Sequence, residues 1–307
     1  MAIKTMTATV NGQTYNLTLN ESTGKYEAVI TAPSASSFNL NGGYYPVSVE
    51  AVDTAGNKTT VDSSHSTLGN NLKLYVKEQI KPVISILEPS NDAYVTTNKP
   101  TIKFKIVDNS NGQTEGFSGI NKNSVVLKIN GNAVSGVTFE DTTGGYIGTY
   151  TPATEIADGD ITITVDGADN DGNAATTATA TFKIDTVAPT LTITSPVDGY
   201  ETNQPYLNIE GITNDDTSKP VEVFVNLNGK DLGNATVNSD GTFSKSINLD
   251  KQGENIIVVT ARDSAGKETS VTKKVLFNTT APEIKSVVID PNPVNAGKTF
   301  TITVEVV

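Results

Sequence analysis

Oxygen-bearing side chains at alternate positions are the residues of this sequence best suited to chemistry. Asp169, Asp171 and Asn173 lie in the segment ADNDGNA, and the segment 108–116 (DNSNGQTEG) is similarly rich in oxygens. Such spacing suits a hard cation such as calcium. The twelve-residue calcium loop with its terminal glutamate is absent, however, and aspartate and asparagine also close β-turns by bonding their own backbone. We therefore predict β-turns without a cofactor or a metal site, with calcium as the open alternative.

The single histidine gives no catalytic arrangement. His65 lies in the serine-rich segment DSSHSTLGN, and a catalytic base would need an orienting carboxylate and a nucleophile held beside it. The nucleophile motif G-x-S-x-G is absent. A glycosidase would need two placed carboxylates, usually with aromatic platforms, and the chain has no tryptophan. We predict no catalytic residues and no enzymatic activity.

Composition and charge exclude several classes of partner. The 22 basic and 34 acidic residues give a net charge of −12, which argues against nucleic acid and anionic lipid as partners because both require lysine and arginine at the interface. No apolar run approaches the ~20 residues of a membrane helix, so no membrane insertion is expected. Cysteine is absent, so no disulfides form.

A repeated strand and turn organise the chain. The segment VSVEAVDTAGNKTT (47–60) recurs at 163–176 and at 257–270, with Asp53, Asp169 and Asp263 at the same place. Apolar and polar residues alternate before each aspartate, which is typical of a half-buried strand that enters a turn. No segment shows helical periodicity over a useful length, so the predicted fold class is all-β.

Further turns and prolines divide the chain into similar domains. Asn-Gly pairs at 11–12, 130–131 and 228–229 are typical of two-residue hairpins. Junctions containing Pro82, Pro189 and Pro282 follow at the end of each copy. About seven short strands per ~100 residues is the pattern of an immunoglobulin-like sandwich. The predicted domains are 1–80, 81–187 and 188–281, followed by 282–307.

Particular motifs resemble tandem bacterial immunoglobulin-like domains. The resemblance rests on the junction DTVAPTLTITSPVDG, the turns VDTAGNKTT and ARDSAGKETS, and the TNxP strand openings, and it covers nearly the whole chain. Such domains occur in surface adhesins and in tail, baseplate and fibre proteins of phages and phage-like particles. The resemblance implies an elongated array of β-sandwiches whose cores are aliphatic and aromatic.

The favoured function is a non-enzymatic structural or adhesive component of a phage or phage-like particle, located in the virion. The opening MAIKTMTATV lacks a signal-peptide segment, as expected of a protein assembled in the cytoplasm. The partners would be copies of itself, neighbouring particle proteins or a host cell-surface polymer. One alternative is a fragment of a Gram-positive adhesin or stalk at the bacterial cell surface. Another is an accessory array of a secreted polysaccharide-degrading enzyme.

The opening strand pairs and the domains that they should precede are offset by one along the chain. Domain 1–80 lacks the opening strand pair that the next two domains have, whereas 282–307 is an opening pair without a domain. We predict that 282–307 completes a domain of the 1–80 type by β-strand addition, within one molecule or between copies. Alternatively, 1–80 closes with its own segments 34–43 and 62–71, or the chain is cut from a longer protein. The predicted interface residues are Ile284, Val287, Ile289, Phe300, Ile302, Val304 and Val306.

Overall fold

The computed structural model describes residues 2–108 and 115–307. It confirms the predicted all-β class, since the described elements are β-strands and short 3₁₀ turns at Asn41–Gly43, Gly69–Leu72 and Lys122–Ser124. No helix in this part of the chain is long and apolar enough to cross a membrane. The chain forms two compact units, 1–185 and 186–307. The predicted division at 80, 187 and 281 stays a prediction.

The beginning of the first unit is built on one main sheet. Its strands are β1 (Ile3–Val10), β2 (Gln13–Asn16), β3 (Thr18–Asn20), β4 (Lys25–Glu27), β5 (Tyr45–Asp53), β6 (Lys58–Val61) and β7 (Lys73–Leu74). The sheet has the order β2-β1-β5-β6, β7 joins the start of β5, and β3 and β4 form a separate hairpin. Asn11 and Gly12 have φ values of 48° and 74°, which only a few residue types adopt easily, and this turn sets the register of β1 on β2.

A complete sandwich follows in the same unit. Its strands are β8 (Val83–Glu88), β9 (Tyr94–Val95), β10 (Ile102–Val107), β11 (Val126–Ile129), β12 (Asn132–Ala133), β13 (Thr138–Thr142), β14 (Gly145–Tyr150), β15 (Gly159–Asp166) and β16 (Ala178–Ile184). One sheet has the order β13-β14-β10-β8 and the other β12-β11-β15-β16-β9. Ile102, Phe104 and Ile106 of β10 point into the core and are fully buried. Gly148 opposite Phe104 leaves room for the ring, because a Cβ there would lie 2.3 Å from it.

The second unit repeats this sandwich. Its strands are β17 (Thr190–Ser195), β18 (Tyr200–Thr202), β19 (Tyr206–Asn214), β20 (Glu222–Leu227), β21 (Lys230–Asn234), β22 (Thr236–Val237), β23 (Thr242–Asn248), β24 (Gly253–Arg262) and β25 (Glu268–Phe277). The sheets have the orders β17-β19-β23-β22 and β18-β25-β24-β20-β21. They pack around a core of buried aliphatic side chains and Phe243. A separate hairpin of β26 (Ile284–Asp290) and β27 (Thr301–Val306) follows.

The main sheet of 2–80 is less well covered than its counterparts. Val49 of β5 corresponds to Val165 of β15 and to Val259 of β24, because all three occupy the same place before the repeated aspartate. Val165 and Val259 are fully buried, whereas Val49 is only partly buried. In the complete sandwiches the opposite face is covered by β8 with β10, or by β17 with β19. Residues 2–80 contain no strand pair in that position, so the apolar face of this sheet is only partly buried.

Candidate functional site

The repeated aspartate closes a turn in the first copy. Oδ1 of Asp53 accepts hydrogen bonds from the backbone N–H groups of Ala55, at 2.9 Å, and Asn57, at 2.8 Å. Oδ2 accepts from the side-chain amide of Asn57 at 2.8 Å. These bonds, led by that of the Asn57 side chain, lower the pKa of Asp53 because they stabilise the charged form. The turn interpretation made from the sequence is therefore correct for Asp53.

The second copy has the same turn with an additional contact. Oδ1 and Oδ2 of Asp169 accept from the backbone and the side-chain amide of Asn173, at 2.8 and 2.7 Å. The Asn173 side chain also donates to Oε1 of Glu78, at 2.9 Å. Glu78 lies between β7 and β8, in the segment that leads into the second sandwich. The turn at Asp169 is thereby attached to the preceding segment of the chain.

Three buried carboxylates meet at this place. Glu78, Asp108 at the end of β10 and Asp169 after β15 each have a carboxylate oxygen within 4.8 Å of the other two. All three residues are buried, and none of them takes part in an ion pair among the described residues. Burial of an unpaired carboxylate is costly, and mutual repulsion of three adds to that cost. This carboxylate cluster is the candidate functional site.

The electrostatics of the carboxylate cluster follow from burial. Burial raises the pKa of Glu78 to about 7, and the neighbouring Asp169 carboxylate contributes in the same direction. Burial also raises the pKa of Asp108, against the opposing effect of a hydrogen bond from the N–H of Gly119. Both pKa values rise for the same reason. Burial of a carboxylate without a neighbouring cation disfavours its charged form and so favours the protonated form.

Asp108 has one oxygen without a partner. Its Oδ2 accepts a hydrogen bond from the backbone N–H of Gly119 at 2.7 Å. Its Oδ1 is buried and has no hydrogen-bond partner in the described part of the chain. The residue is only 1% exposed. An unsatisfied buried acceptor costs ~1–3 kcal/mol, and more when charged. A ligand that contacts Oδ1 of Asp108 would remove this cost.

The arrangement differs from the oxygen pattern considered in the sequence. Asp171 does not join the cluster. Its Oδ2 accepts from the backbone N–H of Glu78 at 3.0 Å, and its backbone carbonyl accepts from Nζ of Lys77 at 3.0 Å. Sequence reasoning identified Asp169 and the segment 108–116, but missed Glu78. Residues 109–114 of that segment lie outside the described residues.

The second unit contains two corresponding carboxylates. Asp215 follows β19 as Asp108 follows β10, and Asp263 occupies the place of Asp169. Both are buried, with carboxylate oxygens within 4.8 Å of each other. Oδ1 of Asp263 accepts from the backbone N–H of Lys267 at 2.9 Å, whereas its Oδ2 has no partner in the described ranges. The repeat therefore reproduces part of the carboxylate cluster.

The other residues considered in the sequence lie elsewhere. His65 lies in an exposed turn, where its Nδ1 accepts from the N–H of Leu68 at 3.2 Å. The seven predicted interface residues, Ile284, Val287, Ile289, Phe300, Ile302, Val304 and Val306, are all 43–62% exposed. Cross-strand pairing sets Ile284 against Val306, Val287 against Val304, and Ile289 against Ile302. Their interface role stays a prediction.

Two comparisons of the sequence find related segments in known proteins. Residues 189–279, which contain the second-unit sandwich, match the family model "Glucodextranase, domain B". Bacillopeptidase F of Bacillus subtilis (strain 168) is 34% identical over 167 residues, which cover 52% of this chain. That match spans only 11% of the length of the relative.

Solved structures of tandem β-sandwich domains are similar at low identity. The fibronectin(III)-like modules of Clostridium thermocellum CbhA are 17% identical, with 64% of this chain and 94% of that chain covered and a TM-score of 0.39. A tetra-tandem repeat in the extending region of a large adhesion protein is 18% identical, with 98% and 79% covered and a TM-score of 0.34. Sidekick-1 immunoglobulin domains 1–5 are 14% identical, with 92% and 55% covered and a TM-score of 0.40.

Proposed function

We propose that this chain is a non-catalytic array of immunoglobulin-like domains that serves as an accessory module of an enzyme outside the cell. The observation that carries the proposal is the match of residues 189–279 to a domain of glucodextranase. The similarity to Bacillopeptidase F supports it, because the shared part is a small fraction of a protein that is named as a peptidase. The array would hold other parts of the enzyme at a distance from a surface or a substrate.

The virion role favoured by the sequence is the competing hypothesis, together with an adhesin at the bacterial cell surface. Neither sequence match supports a phage tail or baseplate protein. Immunoblots with an antibody against the second unit, on culture medium, cell-wall extract and purified phage particles of the source bacterium, separate these roles. We expect the antigen in the medium or the wall extract, on a polypeptide that co-purifies with hydrolase activity. Recovery in phage particles, or in the wall without such activity, would contradict the accessory role.

A second part of the proposal concerns the partner of the hairpin β26–β27. Counted from the junction prolines Pro82 and Pro282, Val306 takes the place of Ile106, and Val304 takes the place of Phe104. Ile106 and Phe104 are fully buried in the second sandwich, whereas Val304 and Val306 are 47% and 55% exposed. The hairpin thus has the side chains of a core strand pair without a core around them.

The partly exposed sheet of 2–80 is the surface that such a pair fits. In the second sandwich β10 lies between β8 and β14. Tyr26 of β4 and Tyr146 of β14 each stand two residues after a glycine, so β4 corresponds to β14. The hairpin β3–β4 pairs with no other described strand. We infer that β26–β27 of one copy takes the place of the β8–β10 pair, with β27 beside β4 of a second copy. Head-to-tail contacts of this kind link copies into chains or rings.

Deletion of residues 282–307 tests this partner. Sedimentation velocity should show self-association of the full chain that rises with concentration, and a monomer after the deletion. The melting temperature of the predicted domain 1–80 should also fall, because its inner face loses the added strands. A full chain that stays monomeric at high concentration would contradict the pairing between copies and favour closure of 2–80 with its own segments.

A further inference from the structure

We propose that Glu78, Asp108 and Asp169 bind a divalent cation, with Ca²⁺ as the preferred ion, and that this ion fastens the segment before β8 to the second sandwich. The carboxylates come from three separate segments of the first unit and approach within 4.8 Å of one another. A cation among them would attract all three carboxylates and so offset their mutual repulsion. The site is independent of the proposed accessory role.

The unpartnered Oδ1 of Asp108 distinguishes the carboxylate cluster from an ordinary group of acidic side chains. Surface acids are hydrated, whereas this oxygen is buried and accepts no hydrogen bond from the described residues. The other oxygen of Asp108 is held by Gly119, which fixes the orientation of the carboxylate. A cation would satisfy the free oxygen and remove the cost of its burial.

The chemistry of the donors favours calcium. All three side chains offer oxygen, the chain has no cysteine, and its one histidine lies outside the cluster. Such a set suits hard cations and not zinc or copper. Ca²⁺ accepts about six to eight oxygen ligands in a flexible geometry, so backbone carbonyls and water would complete its coordination shell. Mg²⁺ instead requires about six ligands in near-ideal octahedral geometry. Three carboxylates from separate segments, without the twelve-residue calcium loop, match weak binding, with Kd values of ~10⁻⁴–10⁻³ M as in extracellular modules.

The turn at Asp53 provides an internal control. It has the same aspartate and the same asparagine bonds as the turn at Asp169. Neither group of neighbouring acidic residues in the described chain includes Asp53. A variant Asp53→Asn therefore removes a turn carboxylate without touching the carboxylate cluster, whereas Asp108→Asn removes the charge that lacks a partner and keeps the shape.

Hydrogen exchange measured by mass spectrometry on the full chain tests the site locally. The probe is CaCl₂ added to chelator-treated protein, with NaCl of matched ionic strength and MgCl₂ as comparison salts. The N–H of Gly119 donates to Asp108, and the N–H of Ile80 donates to Oε2 of Glu78, so both report on the cluster. At a CaCl₂ concentration tenfold above Kd, exchange in the peptides with these two N–H groups should slow by about 10-fold. The same protection should persist in Asp53→Asn and be lost in Asp108→Asn. MgCl₂ at the same concentration should protect less.

Several results would overturn the site. Unchanged exchange of the wild-type peptides in CaCl₂ would exclude it, and equal protection by matched NaCl would show general screening instead of binding. Retained protection in Asp108→Asn would place the ion elsewhere. Glu78→Gln serves as a second variant should Asp108→Asn fail to fold, because it leaves Asp108 and Gly119 in place. It should likewise lose the protection, and a calcium response of wild-type size in Glu78→Gln would contradict the proposal.

Discussion

The side-chain amide of Asn173 donates to Oε1 of Glu78 at 2.9 Å and to Oδ2 of Asp169 at 2.7 Å. A single side chain thus connects the segment before β8 to a turn of the second sandwich. In the first copy, Asn57 donates to Asp53 within its own turn. The same residue type at the same place in the repeat therefore has a wider structural role in the second copy.

This difference predicts unequal effects of one substitution. Asn173→Ala removes hydrogen bonds to two carboxylates and should lower the free energy of unfolding of the second sandwich by ~1.5–3 kcal/mol, the range for bonds to charged groups. Asn57→Ala removes a bond in a more exposed turn and should cost less. Urea denaturation of both variants in chelator measures the difference. Equal costs would mean that the contact of Asn173 with Glu78 contributes nothing to stability.

Two valines of the repeat give a matched test of core coverage. Val165 is fully buried, so Val165→Ala should cost ~2 kcal/mol through lost burial and a residual cavity. Val49 occupies the same place in the first copy but is only partly buried, so Val49→Ala should cost less than ~1 kcal/mol. Thermal unfolding at low protein concentration, where copies are separate, makes the comparison. A cost for Val49→Ala as large as that for Val165→Ala would show that the inner face of 2–80 is covered in the single molecule.

Much of the fold is readable from local sequence. Asn11, Asn130 and Asn228 have φ values of 48°, 48° and 52°, as the Asn-Gly pairs predict, since these turns depend on the two residues alone. Glu78 was not identified because nothing local marks a carboxylate that contacts a turn more than ninety residues later in the chain. The repeat carries one signal, since Glu78 and Asp185 each stand four residues before a junction proline and thirty before Asp108 and Asp215. Which carboxylates become buried depends on packing that the pattern does not encode.

The ion pair of Lys128 with Asp166 predicts a dependence on pH. Its N–O distance is 2.8 Å, and the hydrogen bond from Lys128 is the first cause of a lowered pKa of Asp166. Because the folded-state pKa is lowered, this contribution to stability is present above the unfolded pKa and is lost as pH falls through the folded one. Lys128→Met should destabilise by less than ~1 kcal/mol at neutral pH, since both side chains are about a third exposed.

A double-mutant cycle isolates that pair. Lys128→Met, Asp166→Asn and the double variant are compared with the wild type by urea denaturation at neutral pH and at a series of decreasing acidic pH values. The coupling energy should be favourable at neutral pH and should decline as the pH falls through the lowered pKa of Asp166. A coupling that persists in acid would assign the effect to packing of the lysine stem and not to charge.

The two faces of the hairpin β26–β27 allow a final test of partner recognition. Val304 is paired with Val287, and the preceding residue, Thr303, is paired with Val288 on the opposite face. If the face with Val304 enters the sandwich of a second copy, Val304→Asp should abolish self-association, because a carboxylate without a partner would be buried there. Thr303→Asp adds the same charge on the other face and should leave association intact. Sedimentation velocity measures the self-association of both variants. The melting temperature of the second-unit sandwich checks that each variant is folded. Equal weakening by the two substitutions would point to the net negative charge of the chain, and not to strand addition, as the factor that controls association.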